Sequence, residues 1–232
     1  MYMSAIKRSF PSAVLQNAIP LYTIGEEIAN SVLHGIGTLL AIAGLVLLSL
    51  KTRGLLGVQR AGGLDIIAAL VFTAAMIGMF LVSTMYHAIQ HKGVKQILRR
   101  LDHSVIFIFI AATYTPFCLS GLRGGWGWSL FAAEWFLALL GITLNILDSK
   151  ALKKIEVAAY IMMGWAIIIG FVPLIRSVPV KSIILLLAGG AAYTAGTIWY
   201  RKKNVRFTHV VWHVFVLAGT VCHWFSIWYL NG

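Results

Sequence analysis

The chain has 232 residues, 59% of them hydrophobic and only 11% charged, with a mean hydropathy of +0.85. Soluble domains carry about 25% charged residues, so this composition excludes a water-soluble globule, and its hydrophobicity excludes a disordered chain. Two cysteines are too few for a disulfide scaffold, and the net charge of +12 sits in short clusters between long apolar stretches, which points to lipid headgroups rather than nucleic acid.

The first 25 residues contain no apolar run of spanning length and are expected to form an interfacial or disordered arm. A helix that crosses the hydrocarbon needs about 20 apolar residues, and residues 26–232 hold seven such runs, near 31–50, 63–87, 103–122, 126–147, 155–175, 182–200 and 208–230. The runs are too long for barrel strands and show no alternation. The expected fold is therefore all-α, a polytopic bundle of seven transmembrane helices joined by short connections. Small residues are expected to let helices approach: Gly62, Gly63 and Gly78 on the second run and the Ala188, Ala192, Gly196 stripe on the sixth. Pro116, preceded by Thr113 and Thr115, is expected to kink the third.

Lysine and arginine orient the bundle. The N-terminal arm and the second, fourth and sixth connections together hold thirteen of the 19 basic residues, and the opposite side holds six. The positive-inside bias puts the N-terminus in the cytoplasm and the C-terminus outside. Trp126, Trp128, Trp224, Trp228 and Tyr229 then fall at the outer ends as an aromatic belt.

Ionisable side chains inside a bilayer are costly, and each is a functional hypothesis. Ser83 and His87 end the second run, Asp102 opens the third, and His209 and His213 begin the seventh. The end of an even helix and the start of an odd one lie on the same side, so all five share one depth near the cytoplasm. His34 joins them by the same parity. Residues four apart share a helix face, which pairs Ser83 with His87 and His209 with His213. Two imidazoles on one helix and a third from another can hold one metal ion with a fourth position open to water. With no cysteine at that depth, histidine ligation suits zinc. Asp102 would hold or deprotonate the water, and Ser83 would donate to it or to a developing oxyanion. The alternatives are interfacial histidines and an aspartate that caps a helix. Glu26, Glu27, Asn30 and His34 read either as a helix N-terminus whose acids complement the dipole or as a second shell or lid over the site. His223 lies about 15 Å deeper at 1.5 Å per residue, His91 and His103 are expected to be solvated, and Asp65, Asp148 and Glu156 are expected to be interface charges. Glu134 sits unexplained inside the fourth run.

The segment from Glu26 and Glu27 through Asn30 to His34, the run Ser83 to His87, Leu101-Asp102-His103, Tyr114 to Phe117, and His209 to His213 together resemble the hemolysin III family. These are bacterial members of the progestin and adipoQ receptor (PAQR) superfamily. The resemblance implies a multi-pass protein of the bacterial inner membrane with a zinc ion near the cytoplasmic helix ends. Carried over by position, it implies His87, His209 and His213 as ligands, Asp102 bound through water, and Ser83 beside the site. The superfamily is grouped with alkaline ceramidases as metal-dependent membrane hydrolases, which implies hydrolysis of a lipid amide or ester entering from the bilayer. Two other functions stay open: a sensor or membrane-homeostasis protein with a structural zinc, and the cytolysis that the family name implies. Membrane lipids are the expected partners, nucleic acid is not, and the sequence leaves oligomeric state undefined.

Overall fold

In hydrocarbon every backbone amide must find its partner within the chain, and a helix is the local solution. The structure, a computed structural model, describes residues 22–57, 61–202 and 204–230. Most of the expected N-terminal arm, residues 1–21, lies outside them. The described chain is all-helical, with seven helices long and apolar enough to cross a membrane. We number them α1 (Ile24–Thr52), α2 (Gly63–Ala88), α3 (Lys92–Leu122), α4 (Gly124–Ile146), α5 (Lys150–Ser177), α6 (Val180–Tyr200) and α7 (Thr208–Trp228).

Neighbours in sequence are neighbours in space, from α1 to α4 and again from α6 to α7, and α7 packs back on α1 to close the ring. Helix α3 is the most buried span and also touches α5. Phe72, Met76, Phe80, Phe109 and Phe117 form the centre of the main apolar core. Residues such as Leu39, Met162 and Ile169 face outward, where lipid replaces water as their solvent.

Two helices start well before their apolar runs. Helix α1 begins at Ile24, because Thr23 and Glu26 form a reciprocal capping box that satisfies its first amides. Helix α3 begins at Lys92, so the bases of the second connection lie on its first turns. Asp102 therefore does not open α3 and caps nothing; it sits well inside the helix, on a wall of the bundle.

Helices α3 and α5 are both interrupted. Proline has no N–H and its ring crowds the preceding turn; beyond Pro116 the chain widens into a π-helical segment, Phe117–Leu122. Thr113 and Thr115 donate to the Phe109 and Ala111 carbonyls at 2.8 and 3.0 Å. In α5 the 3-10 stretch Ala166–Gly170 breaks the α-helical ladder. The Tyr114 hydroxyl repairs it, donating toward the Met163 and Gly164 carbonyls at 2.7 and 2.9 Å and accepting from Ile167 N at 2.9 Å.

The close approaches differ from those expected for α2. A methyl group added at Gly63 or Gly78 would meet open space. Tight glycines include instead Gly37 against Phe80, Gly44 against Trp224, and Gly189 against His223, while Gly196 packs on Trp212 and Phe215 as its stripe suggested. Trp224 accordingly packs into the core, whereas Trp126 and Trp128 are exposed at the start of α4.

At Gly141, a Cβ would lie 2.5 Å from the ring of Phe107, which is itself only 1% exposed. Overpacking of this kind costs about 1–3 kcal/mol. Gly141→Val is expected to lower the Tm of the detergent-purified protein, as read by thermal unfolding, while Gly78→Ala leaves it unchanged.

Candidate metal centre

The buried face of α1 runs Glu26, Glu27, Asn30, His34, Gly37, Ala41 and Gly44, the three-to-four spacing of one helix stripe. Its first turns are polar, its middle is small or apolar, and its far end is polar again at Lys51 and Thr52. The Glu26 end meets the end of α2, where Ser83 and His87 are buried, and the start of α7, where His213 is buried and His209 half-buried.

Three imidazoles converge there. His87, His209 and His213 each offer a ring nitrogen, and these nitrogens all lie within 4.8 Å of one another. The two on α7, at i and i+4, bring their Nε2 atoms to 2.9 Å. The His87 ring centroid is 5.3 Å from that of His209 and 5.0 Å from that of His213.

The orientation of His87 is fixed from behind. Its Nδ1 donates to Glu27 Oε2 at 2.7 Å, and Glu27 Oε1 accepts from Lys95 Nζ at 2.7 Å. Lys95 also donates to the Tyr86 carbonyl at 3.1 Å and Gln90 Oε1 at 3.4 Å. With the proton on Nδ1, the lone pair is on Nε2, and that buried nitrogen has no hydrogen-bond partner. A carboxylate on the far nitrogen is the usual support of a metal-ligating histidine: it sets the tautomer and raises ligand basicity. The donor set, the orphaned His87 Nε2 and the facing Nε2 pair of α7 fit one metal cation. Cys118 and Cys222 are free thiols on α3 and α7 and are not in this group.

The neighbours of the triad come from four places. Tyr22 stacks on His209 at 4.9 Å between ring centroids, with planes 20° apart. Burial pushes its phenol up, so it keeps its proton. His34 lies on His213 at 3.8 Å between centroids and meets the edge of Phe80 at 5.1 Å. Asp102, half-buried on α3, lies beside Ser83 of α2. Glu26 points elsewhere, accepting from the backbone N–H of Phe207 at 2.7 Å. It thereby holds the left-handed turn at Phe207, with φ of 61°, from which α7 starts.

Of the four α1 residues read as a second shell or lid, Glu27 touches a ring of the triad through a hydrogen bond and His34 touches one through a tilted ring contact. Glu26 braces α7, and Asn30 is fully buried with no partner for either side-chain polar atom. Sequence reasoning missed Lys95 and Tyr22. Lys95 and Leu98 are buried one turn apart, a helical phase that becomes readable only once α3 is known to start at Lys92.

Other polar residues lie apart from the centre. His103 is not solvated as expected: its Nδ1 bonds both oxygens of Glu156 at 3.0 Å, and Tyr160 donates to that carboxylate at 2.9 Å. Asp65 is buried and caps α2 through Gly62 N at 3.0 Å, while His91 is exposed as expected. His223 bonds the Leu186 carbonyl at 3.1 Å.

Comparisons with known proteins place the chain in a family. A family model described as "Haemolysin-III related" matches residues 22–224. The chain belongs to the hemolysin III family. It is 40% identical to the "Hemolysin-3 homolog" of Bacillus subtilis over 207 residues, covering 89% of this chain and 95% of that protein. It is 38% identical to "Hemolysin-3" of Bacillus cereus over 204 residues, or 88% and 91% of the two chains. A more distant PAQR-type relative is the human "Monocyte to macrophage differentiation factor", 26% identical over 174 residues, 70% of this chain and 69% of that one. Seven apolar helices and bacterial hemolysin III relatives make it a multi-pass integral membrane protein, with the inner membrane as its bacterial location.

Removing such a carboxylate support typically costs 10–100-fold in metal affinity. Glu27→Gln is expected to weaken metal binding by about that factor in a competition titration with a chromophoric chelator. Glu26→Ala, which removes the Thr23 capping box and the brace on the Phe207 turn but no contact to the three imidazoles, is expected to leave metal affinity unchanged while lowering Tm.

Proposed function

We propose that this hemolysin III protein is a zinc-dependent membrane hydrolase that cleaves a lipid amide or ester near the cytoplasmic face, with its N-terminus in the cytoplasm. The observation that carries the reading is the orphaned Nε2 of His87, locked by Glu27 and turned toward the two imidazoles of α7. His87, His209 and His213 would hold the zinc, since three histidine nitrogens are a common catalytic zinc set that leaves a fourth position open. A zinc ion bound there supplies Lewis acidity and lowers the pKa of water from about 15.7 to about 7.

The chain's own groups would then handle protons and positioning. Asp102 would accept the proton of the attacking water at its carboxylate and return it to the leaving nitrogen or oxygen. Ser83, beside Asp102, would fix the angle of that carboxylate. Tyr22 and His34, against His209 and His213, would keep the ligating rings from turning. Cytoplasmic placement rests on the Lys and Arg bias of the connections on that side. Substrate would enter from the bilayer.

A second reading makes the metal structural. Its support is that the ligands come from α2 and α7, which are not neighbours in the ring and are separated by α1, so a cation there would staple two helices that hardly touch otherwise.

Asp102→Asn separates the two. The hydrolase reading expects one zinc per chain to remain while release of fatty acid from a panel of phospholipids, ceramides and N-acyl amides falls by about 10²–10⁴-fold, the usual worth of a general base. The structural reading expects that variant to be silent, and chelation alone to lower Tm. Zinc-loaded wild-type protein that releases fatty acid from no lipid in the panel contradicts the hydrolase reading.

A further inference from the structure

Asn30 and His34 lie one turn apart on the buried face of α1, 0% and 3% exposed. Neither Asn30 Nδ2 nor Oδ1, and neither ring nitrogen of His34, has a hydrogen-bond partner. Buried polar groups in native proteins are nearly always paired, and each exception calls for a specific explanation. Four on adjacent turns of one helix make a built feature rather than an isolated defect.

The neighbours on that face supply no partner. The edge of Phe80 meets the His34 ring, and Gly37, the next residue down the stripe, lies against the same Phe80 ring. On the other side the His34 ring lies on His213, and one turn above Asn30 is Glu27, which holds His87. The His34 ring therefore adjoins His213, and Asn30 lies one turn from both His34 and Glu27, the residue that holds His87. Their chemistry is mixed: a carboxamide offers donor and acceptor together, and a neutral imidazole offers one of each.

We infer that Asn30 and His34 form a polar subsite beside the three-histidine centre that receives the non-protein ligand of the metal, a group presenting a hydrogen-bond donor and an acceptor together. The inference rests on the metal-binding reading above and does not require that the site turn anything over. Neither residue joins the metal-ligand group, so both act on what arrives there. Water meets the requirement in the resting protein, and an arriving ligand must replace its bonds.

The test uses full-length, detergent-purified protein loaded with cobalt(II), whose visible bands report its ligands. Acetohydroxamate, which carries a carbonyl and an N–H, is the probe. Wild type, Asn30→Leu and His34→Phe are each expected to hold one cobalt with affinity within threefold of one another. Acetohydroxamate affinity is expected to fall tenfold or more in both variants. Hydroxamate affinity within threefold of wild type overturns the subsite. So does loss of cobalt from the folded variants, because the residues would then serve the metal and not its ligand. If Asn30→Leu fails to fold, Asn30→Ser and His34→Phe decide by the same thresholds. A folded wild type that takes up neither cobalt nor zinc overturns the metal reading itself, an outcome distinct from a variant that binds cobalt and hydroxamate normally.

Discussion

A carboxylate enclosed by an apolar helix bundle must be met by donors on every side that water would otherwise serve. Glu27 meets that constraint with His87 on one oxygen and Lys95 on the other, both at 2.7 Å. The three residues come from α1, α2 and α3, so one charge-assisted network sets how the ends of these helices sit together. Breaking one member leaves a buried charge uncompensated, which is far costlier than the pair is stabilising. The proposed metal centre depends on this joint, because the Glu27 contact fixes the orientation of the His87 ring.

Helix α7 is brought to that joint by the same stretch of α1. Glu26 holds the Phe207 turn, and His34 lies against His213. Polar residues of one stripe thus divide the work: Glu26 braces α7, Glu27 orients His87, and Asn30 and His34 are the pair proposed to meet the ligand of a bound metal. Further down the stripe the side chains become Gly37, Ala41 and Gly44, which let α2 and α7 close in. At the other end of the bundle, Lys51 follows the same rule of burial with a partner, donating to the Trp228 carbonyl and lying 4.7 Å from its ring centroid.

Much of this was readable from residue order. Seven apolar runs required seven helices, and alternation of their direction put Ser83, His87, Asp102, His209 and His213 at one depth before any coordinate was known. The four-residue spacings put His209 with His213, and Ser83 with His87, each on one face. The start of α3 was not readable from hydropathy, since Lys92, Lys95, Arg99 and Arg100 look like a connection until the helix is seen to extend beyond the apolar run. Lys95 was hidden for that reason, and its partner lies 68 residues away, a distance at which sequence carries no local signal. Glycine was misleading in a similar way. Gly63 and Gly78 suggest contact by composition, but which side of a helix is approached depends on tertiary packing, and these two face open space.

In the proposed centre, imidazoles of α2 and α7 share one cation. X-ray absorption at the zinc edge of protein purified without added chelator tests this arrangement and is expected to show about one zinc per chain with three histidine nitrogens at about 2.0–2.1 Å and one oxygen ligand. A spectrum dominated by sulfur at about 2.3 Å, or folded protein that holds no metal after equilibration with zinc, would contradict it.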